Sequence, residues 1–100
     1  MKKSDKKREQ LIVSTLHALC ENALDSHAQF RWLTHHVDYR HFPASLEVYL
    51  IFDDEQSAAT ASADLRQQVQ NALSEQSINL PLSRVYAMAE DAYRARFRAH

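Results

Sequence analysis

The chain has 100 residues, 45% of them apolar and 25% charged, which suits one soluble domain with a core of its own. Glycine is absent, and that excludes P-loops, dinucleotide-binding fingerprints, the nucleophile elbow and the GXXG clamp of KH domains, each of which needs close backbone approach or a conformation suited to glycine. The net charge of −1 conceals a segregation: five cations against Asp5 give residues 1–8 a charge of +4, three arginines give residues 94–100 +3, and four cations against twelve carboxylates give residues 9–93 −8.

The N-terminal MKKSDKKREQ has the cations of a signal peptide without the apolar stretch of about 7–15 residues that should follow. No run approaches the roughly 18 apolar residues of a membrane span, and a single cysteine forms no internal disulfide. A cytoplasmic protein away from membranes is expected. Residues 5 to about 26 read as a helix, because Ile12, Leu16, Leu19, Cys20, Ala23 and Leu24 fall on one 3.6-residue stripe. Ser4 or Asp5 is the expected cap. FRWLTHHVDY has the aromatic and β-branched bias of a strand, and FPAS, with Pro43, reads as a turn. LEVYLIFD alternates so that Leu46, Val48, Leu50 and Phe52 should face the core, antiparallel to the strand before it. Asp53 with Gln56 fits a capping box ahead of a second helix striped by Ala58, Ala61, Leu65, Val69, Ala72 and Leu73. SINLPLS ends that helix, RVYAMA reads as a third strand, and EDAYRARFRAH is a short helix or a basic tail. With no glycine available, turns must use Asp, Asn, Ser and Pro.

The expected fold is therefore α+β: a single two-layer α-β-β-α-β domain over 1–100, its three-stranded sheet packed by two helices, with a possible short C-terminal helix. Residues 1–8 form a basic extension and 92–100 a basic segment. The element order resembles KH-like and BolA-like small domains in topology alone.

LTHHVDYRHFP concentrates three histidines and an aspartate in eleven positions. In a strand His35 and His36 point to opposite faces, whereas His36, Asp38 and His41 could share one, a set acceptable to zinc but matching no zinc spacing. Asp53, Asp54 and Glu55 could hold magnesium, yet the same residues serve a helix N-terminus. Cys20, within the helical stripe, reads as a buried thiol, and Asp25, Ser26 and His27 show nothing of a triad. If Trp32 and Tyr49 share an open sheet face, they could stack on single-stranded bases. The basic ends carry the main expectation. Lys2, Lys3, Lys6, Lys7 and Arg8 at one end, and Arg94, Arg96 and Arg98 at the other, are the candidate nucleic-acid-binding residues, the last group mixed with Tyr93 and Phe97.

At SDKKREQ, LHALCENAL and FRWLTHHVDYRHFPASLEVYLIFD the chain resembles a family of small, uncharacterised bacterial proteins, some of whose members are labelled Fis-type transcriptional regulators. The resemblance covers about the first half of the chain and implies a bacterial cytoplasmic protein. Fis proteins proper are all-helical dimers ending in a helix-turn-helix. LPLSRVYAMAEDAYRARFRAH, with its proline and strand-like segment, departs from that pattern, so no recognition helix is carried over. Taken together, the chain reads as no enzyme, with no cofactor, metal or small-molecule substrate identified. It is expected to be a nucleic-acid-associated or regulatory protein acting through its basic termini. The alternative is an interaction module that self-associates as a homodimer, through a sheet edge or its helices, without binding nucleic acid. A divalent-metal enzyme stands third.

Overall fold

The computed structural model describes residues 3–42 and 44–97, except the side chains at 3, 4, 26, 61 and 62. Pro43 and Ala61, assigned above to a turn and a helical stripe, thus lie outside the described residues or side chains. In chain order, α1 (Lys3–Ser26) leads to β1 (Phe30–His36), β2 (Glu47–Phe52), α2 (Glu55–Glu75), β3 (Val85–Ala89) and α3 (Glu90–Arg96). Single 3-10 turns at Tyr39–His41 and Leu82–Arg84 punctuate the connections. The sheet runs β1-β2-β3, with β1 antiparallel to β2 and β3 parallel to it. Mixed helix and sheet, as the sequence requires, are present, and Glu90–Arg96 of the terminal segment form a helix, while residues 98–100 lie outside those described.

Period-two alternation decides the two faces of the sheet. Leu46, Val48, Leu50, Phe52, Phe30 and Val85 are buried in one cluster with Ile12, Leu16 and Ala23 of α1 and Ala58, Leu65, Val69 and Leu73 of α2. Leu19 and Cys20 pack partly against this core. Leu24, counted in the α1 stripe, does not join it and is half exposed at 50%. It lies eleven residues, about three turns, after Val13, which is 48% exposed, so the two share a line of the helix that the sheet does not cover.

The helix ends differ in detail from the sequence expectation. α1 already includes Ser4 and Asp5, and Asp5 pairs with Arg8 at 3.5 Å instead of capping. The cap of α2 is Asp54 and not Asp53: its carboxylate accepts from the Ser57 backbone N–H at 2.7 Å, which holds the Asp54 carboxyl below its usual value. Asp53 is taken up by an ion pair with Arg31. At its other end α2 closes with a Schellman motif, the Ile78 N–H donating to Leu73 O and the Ser77 N–H to Ser74 O, both at 2.9 Å. That motif needs a left-handed residue after the cap, a place usually given to glycine. In a chain with none, Ser77 takes it at φ 62°.

Replacing Ser77 with glycine should therefore raise unfolding stability by about 1 kcal/mol, since the left-handed conformation costs a residue with a Cβ about that much. Leu50→Ala, at a core position, should cost about 2–5 kcal/mol, whereas Leu24→Ser should change stability by less than about 0.5 kcal/mol. Urea titrations of the three variants check all three values.

Candidate nucleic-acid interface

Strand direction converts the charge segregation along the chain into one across the molecule. β1 ends, and β2 and β3 begin, at the same end of the sheet. The first turns of α1 are fastened there: Glu9 accepts a hydrogen bond from the Tyr39 hydroxyl and lies 3.2 Å from His35 Nε2. α3 starts at the opposite end, after Ala89, and runs back until Phe97 stacks on His36, centroids 4.7 Å apart. The described parts of both basic segments thus reach one end of the sheet, from opposite faces.

Lys6 and Lys7 are exposed on α1. Arg8 sits with its guanidinium 5.0 Å from the Phe42 ring centroid. Arg94 is paired with Glu90 at 2.7 Å, partway along α3. Arg96 lies over three rings, 5.7 Å from Tyr49, 5.5 Å from Tyr86 and 5.4 Å from Phe97. Lys2 and Arg98 fall outside the described residues, and of Lys3 only the backbone, in α1, is described. Two cations join the set that sequence order places inside the acidic body. Arg40, its side chain 87% exposed, stands on the β1–β2 connection, and Arg84 donates to Ala44 O at 2.9 Å. No local signal marks them, because only the fold brings residues 40 and 84 beside the termini.

Most carboxylates at this end are turned inward or engaged. Glu9 serves Tyr39 and His35, Glu47 accepts from the hydroxyls of Tyr49 at 3.0 Å and Tyr86 at 3.3 Å, and Asp5 holds Arg8. Asp38 accepts from the Arg40 backbone N–H at 3.0 Å and from its side chain, which keeps the Asp38 carboxyl below its ordinary value. Glu75 at the end of α2 stays exposed. The far end of the sheet carries Asp53, Asp54, Glu55, Glu90 and Asp91.

The histidines disperse as strand geometry dictates. His35 faces α1, His36 the other side, and His41 approaches Asp38 at 3.4 Å. His36 Nε2 lies 3.1 Å from the Tyr93 hydroxyl, so it does not join Asp38 and His41 in one site. Among the described residues no three His, Cys, Asp or Glu side chains are grouped to hold a metal. Among these residues, too, no helix is long and apolar enough to cross a membrane.

Trp32 and Tyr49 do share the sheet face opposite α1 and α2, but that face is covered by α3. Tyr93 meets Trp32 edge-on at 5.0 Å, Phe97 meets Tyr49 at 5.1 Å, and Tyr49 stacks on Tyr86 at 5.0 Å. Tyr49 is fully buried. Burial, then the bond to Glu47, pushes its phenol up to about 12. Burial likewise raises Tyr93, and burial together with Glu9 raises Tyr39. Comparisons of the chain with protein-family models, curated proteins and solved structures give no significant match.

A phenol held above its unfolded value of about 10 contributes stability that is complete below pH 10 and is lost as pH rises through the folded value. Unfolding stability should accordingly fall between about pH 10 and pH 12, and Tyr49→Phe should flatten that fall. Denaturant titrations at stepped pH, with phenolate absorbance followed in parallel, measure it.

Proposed function

We propose that this protein binds nucleic acid through phosphate contacts at the basic end of its sheet, with little preference among base sequences. One observation carries the reading: Lys6, Lys7 and Arg8 of α1, Arg40 of the β1–β2 connection, Arg84, and Arg96 of α3 come to one end, where Glu9 and Glu47 are bonded to tyrosine hydroxyls and Asp5 and Asp38 pair with Arg8 and Arg40. Outward cations gain free energy on neutralising phosphates by releasing condensed counterions. The acidic far end disfavours a nucleic acid that wraps the molecule and orients it end-on. Among the described residues no side-chain set for reading base edges is presented, so the contacts position without specifying.

The binding constant for duplex DNA should fall steeply with salt, with a logarithmic slope of about 0.9 per phosphate neutralised. Lys6→Ala/Lys7→Ala should weaken binding to all sequences alike and lower the slope by up to about 2. Arg40→Ala discriminates between a continuous surface and two separate tails: it should lower the slope by about 1, whereas binding by the termini alone leaves it unchanged. Fluorescence anisotropy from low to physiological salt measures all three. A parent protein that fails to bind at low salt refutes the reading.

A further inference from the structure

The two edges of the sheet are protected unequally. β1 has a register shift between Phe30 and Trp32, and the residue in that shift, Arg31, is charged. Bulges and charges are what keep an exposed edge from pairing with another strand. β3 has neither. Its sequence, Val85-Tyr86-Ala87-Met88-Ala89, contains no charge and no proline, and its pairing with β2 runs unbroken from Val48↔Val85 to Phe52↔Ala89. α2 packs on one side of the sheet and α3 on the other, so both cover β3 from its faces and neither pairs with its outer edge. A cleft of about 260 Å³, lined in part by Arg66, Ser83 and Ala87, opens beside it.

Charge identifies the occupant. Arg84 immediately precedes β3, and Glu90 immediately follows it. A segment with a cation before it and a carboxylate after it is complementary to itself only when antiparallel. We propose that the outer edge of β3 pairs with the same edge of a second copy of this chain, antiparallel and centred on Ala87, to give a continuous six-stranded sheet.

In that register Arg84 lies opposite the partner copy's residue 90, a glutamate, in two symmetric pairs. Arg84 donates through Nε to Ala44 O, which leaves its terminal nitrogens free. Glu90 holds Arg94 through Oε2, which leaves its other oxygen. Tyr86 falls opposite Met88, a favourable contact of sulfur with an aromatic ring, and Val85 falls opposite Ala89. The centre holds only alanine, so the backbones approach without obstruction. Arg66 stands at the cleft, its Nη2 donating to Leu82 O at 2.6 Å and its buried Nε without an acceptor among the described residues. The partner's acidic end of β3 is the part that comes toward it. The assembly rests on backbone pairing and shares only Arg84 with the phosphate contacts proposed above, so it is tested without nucleic acid.

The test is the mass of the full chain in solution, without nucleic acid, by sedimentation equilibrium over a wide concentration range. A concentration-dependent dimer is expected. Arg84→Glu alone and Glu90→Arg alone each place like charges opposite one another and should raise the dimer dissociation constant about tenfold or more. The double variant Arg84→Glu/Glu90→Arg should restore it, which a variant that merely misfolds cannot do; circular dichroism of each checks the fold. A monomeric parent at every concentration overturns the proposal, as would single variants that associate like the parent or a double variant that does not recover.

Discussion

Everything in this molecule depends on the burial of β2 on both faces. From Val48 to Phe52 each residue is buried, although a strand turns successive side chains to opposite sides. A central strand of this kind cannot be satisfied by one layer of helix. Val48, Leu50 and Phe52 are covered by α1 and α2. Tyr49 and Ile51, both at 0% exposure, need a second cover. α3 supplies it with very little chain. Seven residues are too few for a helix to stand alone in water, so α3 is held by what Tyr93, Arg96 and Phe97 touch. The fold is in effect a sheet between two unequal layers, and the thinner layer is built from aromatic rings instead of aliphatic side chains.

The composition of that thinner layer follows from its position. At the edge of a small protein the covering side chains are reached by water on one side. Rings with polar tips tolerate this better than leucine, since their apolar bodies pack while their hydroxyls find partners. Tyr49 and Tyr86 both donate to Glu47, and the Tyr93 hydroxyl meets His36. Glu47 is thereby withdrawn from the surface, which affects charge as well as packing. Glu9 does the same on the other face, where it binds Tyr39 and approaches His35. Glu9 thus ties α1 to the β1–β2 side of the sheet and Glu47 ties β2 to β3, each with its carboxylate directed to a hydroxyl partner and away from the exposed cations nearby.

The sequence makes the thicker layer legible and conceals the thinner one. Alternation in LEVYLIF marks the core face of β2, and the stripes of two long helices supply its complement, because periodicity accumulates over several turns. Alternation alone assigns Tyr49 and Ile51 to the outward set with Glu47. That assignment is correct for the face and silent about its cover, since a seven-residue helix completes too few turns to show a stripe. Leu24 shows the opposite error: it is counted in the stripe of α1, yet it lies on the line of the exposed Val13, which the sheet does not cover. The site is legible to the same degree. Charge counts find the basic ends, but that they meet at one end of the sheet follows only from β3 lying parallel to β2, and Arg40 and Arg84 enter only through tertiary structure.

Arg96 links the two halves of this architecture. It is among the cations of the basic end and also rests on Tyr49, Tyr86 and Phe97, rings that belong to the sheet or to the close of α3. A guanidinium over an aromatic face keeps its edge donors available, so it can meet a phosphate while it stays stacked. An anion that engages Arg96 in that way leaves the α3 cover in place, and one that draws it outward removes a contact from a helix with few to lose. Engagement of the basic end and the seating of α3 are therefore not independent. Their coupling is set by how much of the cation–π contact survives when Arg96 meets a phosphate.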